Sequence, residues 1–378
     1  MWIISSIITI FLAHLAENNY NKKGGYKLFL FLIVIVNTII WGLRDIGVGT
    51  DTLNYIDSYF NAAKSLTSFK DFFSVYTDNF DKGYLLLAYL SSLFGEESNS
   101  LMFFTELFIM SFVVMGLYEL KQKYNYSITE FMFFFVVLYQ IHVINLMRQF
   151  CAISLLFFGY TLLLRNKYIL WLICQICAYY FHSTSIIFIT IPLAYILMNT
   201  ANTFKSIYLY IVIGIALSFS IFNEYILSFL GNYHIIKDTY IDVYGKYSQF
   251  SAGSNRITFY IKNLLLLTII YLLYKNKNNK KEVLYVLFLT FCLNFCFLLS
   301  NYVLTSFARL SHYFYFMFIT YLVIAAKQQK KTIKSLYNIF IGISIFSFLR
   351  ELYTNYYGDY DDYNYLYLVY KSQILGIE

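Results

Sequence analysis

Apolar residues run along this chain in long blocks separated by short clusters rich in Lys and Asn. A helix needs roughly 17–25 mostly apolar residues to cross a bilayer. Blocks close to that length lie near 1–16, 27–43, 99–120, 128–146, 149–165 and 168–182. Further blocks near 183–199, 206–222, 257–274, 282–300, 305–326 and 333–350 bring the expectation to about 12 transmembrane helices. Gly83–Phe94 is apolar but too short to cross easily, and reads as a re-entrant or interfacial helix. The expected fold is an all-α polytopic membrane protein with short external helices. Its transmembrane domain covers 1–350, followed by a Tyr-rich external tail at 351–378.

The loops sort by lysine. Lys22/Lys23/Lys27, Lys121/Lys123, Arg165/Lys167, Lys205, Lys275–Lys281 and Lys327–Lys334 fall in alternate connections. The positive-inside rule puts these in the cytoplasm. Both termini are then expected outside, with external loops at about 44–98 and 223–256. In this orientation five of the six arginines (Arg44, Arg148, Arg256, Arg309 and Arg350) lie at or near outer ends of spans. Guanidinium holds phosphate and carboxylate through two parallel hydrogen bonds. Arginines gathered at one interface therefore point to an external site for an anionic, phosphorylated ligand. The ordinary alternative is that each pairs with a nearby acid or reaches lipid headgroups.

Composition agrees with the pattern. The chain is 59% hydrophobic and 13% charged, against about a quarter charged in soluble domains. That excludes a cytosolic enzyme, a secreted disulfide scaffold and a nucleic-acid-binding domain. A single proline leaves most helices without their usual cause of kinking. Cys174/Cys177 and Cys292/Cys296 have helical spacing inside apolar blocks and read as packing residues. The outer acids lack metal-ligand spacing, so no metal site is expected.

Polar residues concentrate in a few places. After the second block comes Trp41-Gly-Leu-Arg44-Asp45-Ile-Gly47-Val-Gly49-Thr50-Asp51-Thr-Leu-Asn54-Tyr55, with glycines that let backbone N–H groups turn toward an anion. Where the fourth and fifth blocks meet, His142, Asn145 and Gln149 would share a face on a helix, with Arg148 about one turn beyond Asn145. Polar groups at membrane depth usually line an interior cavity. Tyr179-Tyr180-Phe181-His182-Ser183-Thr184 offers a histidine able to take a proton near neutral pH. Lys262 sits six residues inside an apolar block after Arg256, which is costly unless it snorkels or meets an anion. Arg309-Leu-Ser311-His312-Tyr313 opens a late block. The tyrosines of the tail fit an interfacial aromatic belt, or a surface for stacking sugars.

Taken together, these segments resemble the EpsG family of polysaccharide polymerases, relatives of the Wzy O-antigen polymerases. The resemblance rests on Arg44, Val48-Gly49-Thr50-Asp51 and Tyr55, then Asn145-Leu-Met-Arg148-Gln149-Phe-Cys-Ala152. It continues with Phe181-His182-Ser183 and with Arg309 to Tyr313, in order over most of the chain. It implies a GT-C-like glycosyltransferase architecture in a bacterial cytoplasmic membrane. No cofactor is implied. The implied reaction joins undecaprenyl-diphosphate-linked glycans on the outer face, building O-antigen, capsular or exopolysaccharide.

On this reading His182 is the first choice of base, with Asp51 and Asp45 as rivals, and Arg148 stabilises the diphosphate leaving group. Arg44, Asp45, Tyr55, Asn145, Gln149, Arg256, Lys262, Arg309 and Tyr313 would contact diphosphate or glycan. Besides the lipid bilayer, a chain-length regulator and a flippase are the implied partners. Two rival activities use related ligands. A lipid-linked oligosaccharide flippase should line a cavity reachable from the cytoplasm with cations, whereas here the embedded polar residues cluster outward. An O-antigen ligase uses the same donor and is separated only by the V-G-T-D and R-Q elements.

Overall fold

A computed structural model describes residues 1–45, 48, 49, 52–66, 71, 81–124, 126–200, 211, 214, 256–276, 280–300, 305–327, 331–357, 372, 374 and 375. Among these the secondary structure is helical. Five helices are long and apolar enough to cross a membrane: Gly24–Gly42, Asn99–Lys123, Lys281–Leu298, Arg309–Ala326 and Lys331–Tyr353. Shorter apolar helices accompany them. Eleven of the twelve apolar blocks coincide with helical segments, while 206–222, apart from 211 and 214, lies outside the described residues. So do most of the loop expected at 223–256 and most of the tail.

The chain divides into two compact units, Met1–Ile186 with Ile341–Glu378, and Ile187–Phe340.

In the first unit, α1 (Trp2–Asn18) and α2 (Lys23–Gly42) pack along each other. An amide–hydroxyl bond crosses between them: the Asn37 amide donates to Thr9 Oγ1 at 2.9 Å and to its own Ile33 carbonyl at 2.8 Å. Such a bond leaves no amide hydrogen for lipid to desolvate. A π-helical turn (Thr52–Ile56) leads into α3 (Asp57–Lys64), and α4 (Lys82–Ser92) is the short helix expected around Gly83–Phe94. The long α5 (Asn99–Lys123) follows and packs on α2.

The block 128–146 is not one helix. It forms α6 (Ile128–Leu138) and α7 (Gln140–Asn145), and a second break at Leu146 precedes α8 (Met147–Leu163). Leu146 adopts φ −137°, ψ 46°, so the register between Asn145 and Arg148 is not helical. The single face expected for His142, Asn145 and Gln149 is therefore interrupted. Neither break carries the Pro or Gly that usually marks one. Helix α9 (Tyr168–Phe181) packs on α8 and α4.

The two ends of this unit are built differently. At one end Trp2 and Trp41 lie 4.2 Å apart by ring centroid, joined by Ile40, Val137, Ile141, Ile144 and Phe348 in a buried cluster. At the other end of α1, Glu17 accepts bonds from the Ser127 hydroxyl (2.9 Å), the Thr129 hydroxyl (2.8 Å) and the Thr129 N–H (3.2 Å). These groups surround the N-terminus of α6, where an anion meets unsatisfied N–H donors. Lys121 completes the set at 3.6 Å.

The second unit contains a 3-10 segment from Ile187 to Ile189, α10 (Thr190–Thr200), α11 (Arg256–Lys275), α12 (Lys281–Ser300), α13 (Thr305–Ala326) and the start of α14 (Lys331–Tyr357). Helices α12 and α13 pack along much of their length, with Phe297 and Phe314 stacked at 5.4 Å.

Candidate functional site

Three of the motif segments come together in the first unit. Arg44 is fully buried, and its Nε donates to the Val48 carbonyl at 3.1 Å. Its other nitrogens donate to the Trp41 carbonyl and, at 3.4 Å, to Met147 Sδ. Guanidinium has five N–H donors in a fixed fork, so it can tie one loop to two neighbours at once. Arg44 thus folds the Val48–Gly49 turn onto the start of α8. Thr52 Oγ1 closes the same turn by donating to Val48 and Gly49 carbonyls. Gly49 has φ +110°, and a Cβ there would sit 2.5 Å from Ile144 Cγ2 and 3.0 Å from the Ile144 carbonyl oxygen. Glycine is required at this position for both its conformation and the close approach to α7.

One residue beyond Met147, Arg148 sits in a polar and aromatic cradle. Its Nη1 donates to Asp81 Oδ2 at 2.8 Å and to the Tyr59 hydroxyl at 3.1 Å. The guanidinium lies 4.1 Å from the Tyr55 ring centroid and 5.5 Å from that of Tyr59. Stacking on ring faces leaves the edges of the guanidinium free to hydrogen-bond. The Arg148 and Asp81 side chains keep 20% and 24% of their exposure, so the pair is reachable. Tyr59 also accepts the Asp81 backbone N–H at 2.8 Å. Burial pushes the Tyr59 phenol up to about 12 against the lowering effect of Arg148, which keeps it neutral.

Asp81 occupies the N-cap position of α4 but makes no side-chain cap bond there, turning instead to Arg148. Two residues on, a Cβ at Gly83 would lie 2.9 Å from the Tyr180 carbonyl carbon and 3.0 Å from the Phe181 N. The backbones of α4 and α9 therefore touch, and the chain leaving α9 at His182 runs beside the segment that holds Arg148. His182 is half-buried, and its Nδ1 lies 2.8 Å from Thr184 Oγ1. That contact orients the ring, the hydroxyl being able to donate to Nδ1 or accept from it.

The remaining candidates are placed as follows. Asn145 is half-buried at the end of α7, and Gln149 is buried in α8. Asp45 lines a cleft of about 460 Å³ together with Asp57, Asn61, Glu96 and Glu97. Asp51 and the Arg256 side chain lie outside the described residues. The others belong to the second unit. Arg309 is exposed at the start of the apolar stretch of α13, and Tyr313 is fully buried one turn further. Lys262 Nζ stands over the Tyr315 ring at 5.0 Å and the Phe340 ring at 5.9 Å. Ring faces thus give this embedded ammonium a setting besides snorkelling or an anion.

Asp81, Tyr59 and Glu106 carry no flag in the sequence reading. Glu106 is buried in α5, within electrostatic reach of Arg44 and next to Gln140. A lone Glu in an otherwise apolar span was the available signal. Asp81, just ahead of the apolar Gly83–Phe94 block, had only the signature of a helix cap. Among the described residues no group of three or more His, Cys, Asp or Glu is arranged to hold a metal ion.

A helical chain with several membrane-length segments and a polar end built on arginine, carboxylate and tyrosine is a multi-pass membrane protein. It belongs to the EpsG family, whose model matches residues 3–372. No curated protein and no solved structure matches the chain.

Proposed function

We propose that this protein polymerises oligosaccharide repeat units carried on polyprenyl diphosphate, at the outer face of a bacterial cytoplasmic membrane. Family membership supports the coarse activity. The observation that carries the finer reading is the Arg148 cradle: a reachable guanidinium, flanked by tyrosine faces and bonded to the Asp81 carboxylate, with His182 on the adjoining segment. A hydroxyl at the non-reducing end of one lipid-linked unit attacks the anomeric carbon of the growing chain. The bond from that carbon to diphosphate breaks, and its electron pair leaves with the lipid diphosphate. The hydroxyl proton passes to a base, His182 in the first instance and Asp51 as the rival. Arg148 neutralises the charge that develops on the leaving group. The half-exposed Tyr55 ring offers a stacking face for a sugar.

The experiment is a gel of surface polysaccharide from a strain lacking the gene, beside its complemented parent. A single capped repeat unit in place of the long-chain ladder is the expected result. Loss of every capped unit would instead indicate a flippase or ligase. An unchanged ladder, in a strain with no second polymerase, would remove the polysaccharide reading. Arg309→Ala tests the second unit's exposed arginine in the same assay, with loss of long chains at normal membrane abundance expected.

A further inference from the structure

A groove of about 380 Å³ runs along the first unit between α4, α5, α8 and α9. Its walls include Gly83, Leu90, Phe108, Leu155, Ile173 and Phe181, and they expose no polar surface. Two features tie it to the Arg148 cradle. Gly83, at one end, is two residues from Asp81, which holds Arg148. Phe181, at the same end, immediately precedes His182, and the Gly83 contact with the Phe181 backbone pins the two together. From that end the lining residues continue along α4 from Gly83 to Leu90 and back along α9 from Phe181 to Cys174. Each stretch covers about 10 Å at 1.5 Å per residue. The groove is thus apolar along its lining, and one end of it lies within two residues of Asp81, the partner of Arg148.

We propose that this groove holds the first part of the polyisoprenoid chain of a lipid whose diphosphate is bound at Arg148. The inference rests on the polymerase reading for the identity of the lipid, but its geometry is independent of the reaction. An amphiphile with an anionic head fits an apolar groove that has a cation near one end, and both are present in that order. A bilayer acyl chain would fill the apolar part equally well. Commitment to a lipid diphosphate comes from the continuity between groove and guanidinium. Binding energy from the remote chain would then hold the anomeric carbon in place without touching it.

Cys177 lines the groove and is exposed, which supplies a probe without any substitution. Cys292, in the second unit, is half-buried and serves as the internal reference. Full-length protein in nanodiscs of phosphatidylglycerol and phosphatidylethanolamine is labelled with monobromobimane, and each cysteine is followed by peptide mass spectrometry. Geranylgeranyl diphosphate at about ten times its Kd should slow labelling of Cys177 about tenfold and leave Cys292 unchanged. Geranylgeraniol or inorganic diphosphate at the same concentration should protect far less, and Arg148→Ala should remove the protection.

Equal protection by geranylgeraniol would overturn the proposal, because the groove would then take any hydrocarbon chain. Absence of protection by the diphosphate, or protection that survives Arg148→Ala, would overturn it too. The comparison among the three probes on the unaltered protein stands even if the arginine variant fails to fold. The assay needs no turnover. Protection without a polysaccharide ladder keeps the groove and removes the polymerase; a ladder without protection does the reverse.

Discussion

The two ends of the first unit use the same chemical groups for different purposes. At the lysine end, Glu17 accepts three hydrogen bonds around the α6 N-terminus and meets Lys121, while Arg165 pairs with Glu119 and Gln122. Glu17 closes the start of α6, and Arg165 ties the turn after α8 to α5. At the motif end, Arg44 is wholly enclosed and organises a turn, whereas Arg148 stacks on Tyr55 and keeps a reachable edge. One end consumes its charges in internal contacts. The other sets one cation on an aromatic and carboxylate support and keeps it partly exposed.

The sharpest way to break this contrast is to remove the arginine from each end. Arg148→Ala should abolish long-chain polymer, a loss of about 10³-fold or more if the guanidinium neutralises the departing diphosphate. Membrane abundance should stay near normal, read by immunoblot beside the polysaccharide gel. Arg165→Ala at the lysine end should leave the ladder intact, since exposed pairs contribute at most about 1 kcal/mol. Comparable ladders from both variants would erase the distinction between the ends.

His182→Gln comes next. Loss of a positioned base typically lowers the rate by about 10²–10⁴-fold. In purified protein the variant should lose kcat rather than raise KM, and Thr184→Val should shift the pH profile by releasing Nδ1. Normal polymer from the glutamine variant would remove His182 as base and promote Asp51. Gly83→Ala should act more mildly and through structure. Its new methyl meets backbone rather than a flexible side chain, so α4 must move away from α9, at about 1–3 kcal/mol. A lower melting temperature together with shortened chains is the expected result, and polymer of unchanged length would show that α4 does not position Asp81.

Most helices were legible because a bilayer demands long apolar blocks, and that demand leaves its mark on every span. The fine structure of the motif end was not. The breaks at Tyr139 and Leu146 occur without Pro or Gly, and the one at Leu146 is flanked by tertiary contacts, the Gly49 turn on Ile144 and Arg44 on Met147. Arg44 read as outward-facing because it follows a span, yet it is wholly enclosed, and its contacts include backbone carbonyls and a thioether, which leave no residue pattern. Asp81 was hidden for a related reason. Its pairing spans 67 residues of chain, and several other acids in the same loop looked equivalent. The types of residue at the site could be read locally, but which of them meet depends on packing between distant helices.

The smallest predicted effect sharpens the comparison from the lysine end. Glu17 lies just past the apolar block that ends at residue 16. Burial alone would raise its carboxyl, but the bonds from Thr129 and Ser127 and the charge of Lys121 outweigh that and bring it down to about 2 from 4.5. The unfolded chain therefore binds the proton more readily than the folded one. The stabilisation is complete above about pH 4.5 and drains away as pH falls toward 2. Glu17→Gln keeps one acceptor oxygen but loses the charge, so it should cost about 1 kcal/mol near neutral pH. It should also flatten the melting temperature between pH 4.5 and 2 relative to the parent, with polymer length unchanged at neutral pH. A variant whose melting curve tracks the parent's through that window would show that Glu17 does not carry the acid sensitivity. Shortened polymer instead would mean that the lysine end reaches the chemistry, and the division of labour between the two ends would fail.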